Sequence, residues 1–260
     1  MKAILLAAGE GKRLRPLTDN CPKCLVKLRG KPLLEYQLAT FQRCGVTDIV
    51  IVTGYKQEAL QPYQLRSYHN DQYSTTNMVH SLFCAEAEFN EDVIISYTDI
   101  LFEPRVLQAL LNAEADFAVT IDKGWQNLWQ FRMDDPLTDA ETLKVDDADF
   151  ITEIGKKASS YREIQGQYIG LFKISRRVLG QVSQFYRQLN QKASYDGKDY
   201  SNMYMTSFIH RIANDLIRVK AIYIQNGWLE VDTLEDKQRY EAMNISHADL
   251  FDFRVVCQTD

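Results

Sequence analysis

The sequence predicts an α/β fold, a doubly wound and mostly parallel sheet. Three observations predict it. Short apolar runs without alternation recur at residues 2–8, 48–53, 93–97 and 116–121, the pattern of strands buried on both faces. Amphipathic segments with helical spacing separate them, so right-handed crossovers link the strands. The first run opens directly into a glycine-bearing loop, where open α/β sheets hold their ligands.

The elements follow in chain order. Residues 2–8 form the first strand and residues 9–30 the loop. Pro32 sits where a helix begins, Leu34, Leu38 and Phe41 fall at i, i+4 and i+7, and Gly45 stops it. The strand 48–53 ends at Gly54, and 55–65 reads as helical. Residues 68–76 are polar and turn-like. Asn77 is a natural N-cap for a helix marked by Met78, Leu82, Ala85 and Phe89. After the strand 93–97 and Thr98-Asp99 come a helix over 106–112 and a strand over 116–121. Residues 122–165 break the alternation. They are polar, hold Trp125 and Trp129, and read as an excursion of short strands and loops over the sheet, within one domain spanning 1–260. A strand at 167–175 resumes the pattern. Two helices follow, marked by Val178, Val182, Phe185 and Leu189 and then by Met205, Phe208, Ile209 and Ile212. Short strands at 219–224 and 228–231 and a helix over 233–243 close the chain.

Composition narrows the function. Of 260 residues, 45% are hydrophobic and 25% charged, with a net charge of −5, which argues against broad nucleic-acid binding. No stretch approaches the roughly 18 apolar residues of a membrane helix, and the N-terminal run is not a signal peptide, so the expected location is cytoplasmic and no membrane partner is expected. The sequon Asn244-Ile245-Ser246 then carries no meaning. The chain has 5 cysteines, which read as small buried hydrophobes. Cys21-Pro-Lys-Cys24 has CxxC spacing, but no second pair completes a zinc site. The histidines (His69, His80, His210, His247) show no ligand spacing.

The loop is the chemical centre. Residues 10–31 carry Lys12, Arg13, Arg15, Lys23, Lys27, Arg29 and Lys31 against Glu10 and Asp19, a cationic segment inside an acidic protein. Such a loop suits a nucleoside triphosphate, with Gly9 and Gly11 letting backbone amides approach phosphate. It is neither stock phosphate loop. Leu14 stands where GxGxxG needs its last glycine, and Lys12 is followed by Arg13 where a Walker loop needs Ser or Thr. Two carboxylates end strands elsewhere, Asp99 after VIISYT and Asp232 after WLEV. That placement suits Mg²⁺, which takes oxygen ligands and bridges phosphates.

The loop resembles the signature of the nucleotidyltransferases that activate sugar phosphates and related small phosphates. Leu6, Gly9, Gly11, Arg13, Leu14, Pro16, Leu17, Thr18, Pro22 and Lys23 stand in its register. The likeness continues to the cytidylyltransferase branch that includes the choline-phosphate enzymes, and most nearly to phosphoglutamine cytidylyltransferases of capsule phosphoramidate synthesis. TTNMV, ISYTDI, DPLTDAETLK, NMYMTSF and WLEVD carry it, and Tyr97-Thr98-Asp99 replaces the GDN or GDH of sugar enzymes. The resemblance implies the Rossmann-like nucleotide-diphospho-sugar transferase fold and transfer of CMP from CTP to a small phosphorylated acceptor, releasing pyrophosphate. It implies that Leu6, Ala7, Ala8, Gly9, Glu10, Gly11, Lys12, Thr76, Tyr97 and Thr98 hold the nucleotide. Lys12 and Arg13 then neutralise the β- and γ-phosphates, Lys23 acts at the α-phosphate, and Asp99 and Asp232 hold Mg²⁺.

The acceptor side is the least marked. A zwitterionic acceptor needs a cation and a carboxylate or aromatic partner. Lys123, Lys156 and Tyr168 are the candidates, with Asp122, Lys157 and Tyr204 nearby; Lys123 and Tyr168 rank first because each sits at a strand. Trp125 and Trp129 fit a binding role and a packing role equally, and Lys156-Lys157 also fits a solvated surface pair. Oligomeric state is not legible. A sugar 1-phosphate enzyme, a non-catalytic nucleotide sensor and a CxxC redox protein remain as alternatives.

Overall fold

The computed structural model describes residues 1–244 and 247–257. The sequon at 244–246 extends outside them. In order, the chain forms β1 (Lys2–Ala7), β2 (Lys27–Leu28), β3 (Lys31–Pro32), α1 (Leu33–Arg43), β4 (Asp48–Thr53), β5 (Arg66–His69), α2 (Met78–Cys84), β6 (Val93–Tyr97), β7 (Ile100–Phe102) and α3 (Pro104–Leu111). It continues with β8 (Phe117–Asp122), α4 (Trp125–Arg132), β9 (Glu141–Val145), β10 (Ile151–Lys157), β11 (Gln167–Ile174), α5 (Arg176–Gln188), α6 (Met205–Asp215), β12 (Lys220–Ile224), β13 (Trp228–Glu230), α7 (Leu234–Glu241) and α8 (Phe253–Cys257).

Seven strands build the central sheet in the order β12-β8-β11-β6-β1-β4-β5. All its pairings are parallel except those of β11, which runs antiparallel to β6 and to β8. β1 is fully buried because both faces are covered, and successive side chains serve opposite cores. Ala3, Leu5 and Ala7 pack with residues of α1 and α3, while Ile4 and Leu6 pack with residues of α2, α5 and α6. The doubly wound, mostly parallel α/β fold expected from the sequence is present.

Local signals explain most boundaries. The Asn77 side chain accepts the Met78 amide at 2.8 Å and starts α2. Ser175 caps α5 by accepting from the Arg177 amide at 3.1 Å, and Thr233 forms a capping box with Asp236 at α7.

Three expectations need correction. Residues 55–65 contain 3-10 turns at Gln57–Tyr63 with Pro62 inside, rather than an α-helix. Part of the expected turn at 68–76 belongs to edge strand β5, whose mostly exposed Arg-Ser-Tyr-His gives no apolar signal. The excursion after Asp122 is more regular than short strands and loops. It begins with α4, which buries Trp125, Leu128, Trp129 and Arg132 at helical spacing, and then forms the β9–β10 hairpin.

Candidate active site

A two-stranded ladder brings the distant carboxylates together. β7 starts immediately after Asp99 and pairs antiparallel with β13, placing Ile100 opposite Glu230. The Val231 amide donates to the Asp99 carbonyl at 2.8 Å, so Asp232 emerges beside Asp99. The ladder is outside the main sheet.

Lys23 bridges the two. Its Nζ donates to Asp99 Oδ2 and to Asp232 Oδ1, each at 2.7 Å. The Arg13 guanidinium pairs with the second Asp232 oxygen. Burial drives the Lys23 ammonium pKa down, but Asp99, Asp232 and Glu230 outweigh it and hold the pKa above its ordinary value. The ammonium therefore stays charged. Asp99 Oδ1 is buried without a hydrogen-bond partner, leaving one carboxylate oxygen available.

The loop is shaped to present Lys23. Gly11 adopts φ 61°, and a Cβ there would lie 2.9 Å from the Lys23 Cβ. The Thr18 hydroxyl donates to the Gly11 carbonyl at 2.9 Å. Thr98 ties the end of β6 to β1 by donating to the Leu6 carbonyl at 2.9 Å. Leu6, Ala7, Gly9, Gly11, Tyr97 and Thr98 line a cavity of about 100 Å³ that also reaches Lys23 and Asp99. Ala8 adjoins it, its carbonyl accepting the Tyr55 amide at 3.0 Å. Lys12 is exposed and pairs with Glu10 at 3.4 Å. Thr76 is not in the lining; its hydroxyl donates to the Gln72 carbonyl at 2.8 Å.

A second cavity, of about 180 Å³, shares Met78 and Tyr97 with the first and includes Arg13 and Asp232. Tyr168 and Tyr204 line it, as does Trp129, whose Nε1 donates to Asp139 Oδ2 at 3.0 Å. Gly170, at φ 83°, admits the Tyr97 ring, because a Cβ there would lie 2.6 Å from Tyr97 Cδ2. Trp125 has a packing place, against Trp129 and Tyr161.

The lysine candidates fall elsewhere. Lys123 is exposed, with Nζ 4.2 Å from the Tyr223 ring centroid. Lys156 pairs with Glu153 at 3.1 Å and lines a separate cavity of about 620 Å³. Lys157 is exposed on β10. Neither Lys123 nor Lys156 lines the two cavities at the Lys23 centre. Asp122 is wholly buried and accepts from the amides of Gly124 and Asn226 and from Trp228 Nε1, at 2.7, 2.8 and 2.9 Å, a structural arrangement.

Sequence reasoning missed Asp139, Glu141, Trp228 and Glu230, all in the second cavity. Glu230 had a signal: two residues before Asp232 in an extended segment, it shares that residue's face. Burial pushes its carboxyl upward; Asp99 and Asp232 add to this, against Arg132 and Lys23. Buried Arg132 holds it from behind, donating to Glu230 at 2.7 Å and to Asp236 at 3.0 Å. Asp139 and Glu141 lie in DPLTDAETLK, a segment that carried the family resemblance, but nothing in its pattern singled out these two carboxylates.

The CxxC pair has no thiolate character. Both thiols are free, and burial pushes Cys24 up to about 12. Among the described residues no group of three or more His, Cys, Asp or Glu is placed to hold a metal ion. Mg²⁺ needs no such group, since it takes one or two carboxylates and completes its shell with phosphate oxygens and water. Asp99 and Asp232, with Asp99 Oδ1 unpartnered beside the loop cavity, fit that requirement.

A cationic glycine loop at the carboxyl end of β1, facing paired carboxylates, defines a class of phosphate-handling nucleotide enzyme. Residues 3–194 match the MobA-like NTP transferase domain, and the chain belongs to that family. It is an enzyme of the nucleotidyltransferase type. It is 42% identical over 248 residues to the CTP:phosphoglutamine cytidylyltransferase of Campylobacter jejuni, covering 91% of this chain and 97% of that one. It is 41% identical over 107 residues to a choline-phosphate cytidylyltransferase of Streptococcus pneumoniae, covering 40% of this chain and 47% of that one. In fold it is similar to the inositol-1-phosphate CTP transferase of T. maritima, with a TM-score of 0.72 and 22% identity over 96% of this chain and 94% of that one.

Proposed function

We propose that the protein is a Mg²⁺-dependent cytidylyltransferase that transfers CMP from CTP to a small phosphorylated acceptor of the phosphoglutamine kind. The observation that carries this is Lys23, held between Asp99 and Asp232 and adjoining a loop cavity on one side, with Asp232 opening on a second cavity. The near full-length similarity to the Campylobacter enzyme supports the choice of nucleotide and acceptor. The reading treats 1–260 as one nucleotidyltransferase domain, acting in the cytoplasm where CTP is available.

In this reading residues 6–11, with Thr98 and Tyr97, hold the nucleotide by backbone and close packing. Lys12 and Arg13 neutralise the β- and γ-phosphates. An acceptor phosphate oxygen attacks the α-phosphorus in line, a new P–O bond forms, the bond to the bridging oxygen breaks and pyrophosphate leaves. Lys23 stabilises the charge that gathers at the α-phosphate. Asp99 and Asp232 would hold Mg²⁺, which supplies charge neutralisation at the phosphates. The acceptor phosphate is already ionised near neutral pH, so positioning and electrostatics suffice without a strong general base.

The test is pyrophosphate release with each of the four nucleoside triphosphates against phosphoglutamine, phosphocholine, an aminoalkylphosphonate and glucose 1-phosphate. CTP with phosphoglutamine should give the highest kcat/KM. Preference for another triphosphate, or for glucose 1-phosphate, would overturn the assignment.

A further inference from the structure

The second cavity has a charge that the cytidylyl transfer reaction does not require. Asp139, Glu141, Glu230 and Asp232 line it, against a single lining cation, Arg13, which is already paired with Asp232. Arg132 is spent behind the wall on Glu230 and Asp236. An acceptor brings a phosphate toward the Lys23 centre, and the charged groups that line the rest of this cavity are carboxylates.

Glu141 is distinctive there. Its carboxylate makes no hydrogen bond or ion pair with any described residue, although its backbone is clamped. The Glu141 amide donates to Gln167 Oε1 at 3.1 Å, and Gln167 Nε2 donates to the Glu141 carbonyl at 2.6 Å. Gln167 is itself buried. Partial burial, with Asp139, Glu230 and Asp196 adding to it, pushes the Glu141 carboxyl up to about 7. A carboxylate so placed gains more from an arriving cation than a solvated one does. The same cavity is lined by aromatic rings. Tyr97 and Tyr168 meet edge to face with centroids 5.7 Å apart, and Trp129 lies 5.9 Å from Trp228. Aromatic rings and an unpaired acid in one cavity together suit an ammonium group.

We infer that Glu141 is a specificity-determining residue that selects the acceptor by a cationic nitrogen, so that the substrates are small phosphorylated or phosphonylated amines. The inference rests on the nucleotidyltransferase reading of the site and extends it. An amino-acid acceptor places its ammonium at Glu141 and turns its carboxylate toward solvent. A sugar phosphate leaves the acid unpaired.

A matched pair of probes isolates the nitrogen: O-phosphoethanolamine and 2-hydroxyethyl phosphate, which are similar in size and differ in the ammonium. Binding is read by tryptophan fluorescence, since Trp129 and Trp228 line the cavity, with Mg²⁺ and a non-hydrolysable CTP analogue present. The wild type should bind the amine about tenfold more tightly, the scale of one charge-assisted contact. Glu141→Gln should abolish the difference, and Glu141→Asp should restore part of it. Equal binding of the two probes, no saturable binding of the amine, or an unchanged preference in Glu141→Gln overturns the inference. Pyrophosphate release separates this from the underlying reading. Turnover of CTP with glucose 1-phosphate but with no ammonium-bearing phosphate sinks the amine selection and leaves nucleotidyl transfer standing. Glu141-dependent amine binding without pyrophosphate release from any acceptor sinks the transfer reading and leaves the cation pocket.

Discussion

The two sides of the Lys23 centre are built on opposite principles. The loop side comes from one contiguous stretch, residues 6–31, plus the end of β6, and it is cationic. The proposed acceptor side draws Trp129, Glu141, Tyr168, Met205 and Trp228 from separate elements, and it is acidic and aromatic. A polyanion is recognised by backbone amides and mobile cations, which any short glycine loop supplies. A small acceptor must be told from its competitors, and that takes side chains fixed from several directions. Between the two sides lies one ion network: Arg13, Asp232, Lys23 and Asp99.

Losses in that network should be the largest. Lys23→Ala removes the one side chain among the described residues that touches both carboxylates, and in the proposed reaction it removes the cation at the reacting phosphate. Turnover should fall by roughly 10²–10³, the scale of losing one preorganised charge at a transition state. KM for CTP should change only a few-fold, because backbone and other cations carry that binding. Steady-state kinetics check it. Wild-type kcat in this variant would remove Lys23 from the reaction.

Asp99→Asn and Asp232→Asn should act next most strongly, each lowering Mg²⁺-dependent turnover by about 10²-fold, the scale of a lost transition-state interaction. The two should differ in a revealing way. Asp232 pairs with both Lys23 and Arg13, whereas Asp99 pairs with Lys23 and keeps one oxygen free. Titration of Mg²⁺ should show the larger loss of metal affinity in Asp99→Asn. Equal, unchanged Mg²⁺ dependence in both variants would exclude them as the metal carboxylates.

The same asymmetry decided what the sequence could reveal. The loop, the buried strands and both aspartates were legible because each is a local signal: a motif, an apolar run, a carboxylate ending a strand. β11 was recognisable as a strand, but its antiparallel insertion between β6 and β8 depends on pairing, which no local pattern encodes. The β7–β13 ladder that joins Asp99 to Asp232 was equally hidden. Lys123 sat at a strand end, yet its side chain is exposed and lies over the ring of its β12 neighbour Tyr223. Glu141 sat in a polar excursion where one carboxylate looks like another, and only the fold brings it into the lining of the second cavity beside Gln167.

A smaller perturbation tests whether loop shape alone serves the nucleotide side. Gly11→Ala must adopt φ near 61° and place a methyl 2.9 Å from the Lys23 Cβ. The left-handed backbone alone costs about 1–2 kcal/mol, a fall of several degrees in Tm. KM for CTP should rise while amine-probe binding on the other side stays as in the wild type. A coupled loss on both sides would show that the two halves are not independent.

The smallest effect concerns the acceptor side without any ligand. The Glu141 carboxyl titrates at about 7 in the folded protein against 4.5 for an ordinary Glu. The folded state therefore holds this proton more tightly than the unfolded chain does. Its contribution to stability is complete below pH 4.5 and is lost as pH rises through 7, where the fold must carry a half-buried, unpaired carboxylate. Glu141→Gln carries no charge at any pH and escapes that loss. Shared repulsion with Asp139 and Glu230 spreads the penalty, so the gain should be about 1 kcal/mol at pH 8 and none at pH 4.5. Thermal melts of both proteins across that range measure it. A variant less stable than the wild type at pH 8 would show that the Glu141 carboxylate already has a stabilising partner in the free protein, and the contrast between a self-neutralised centre and an uncompensated acceptor pocket would not hold.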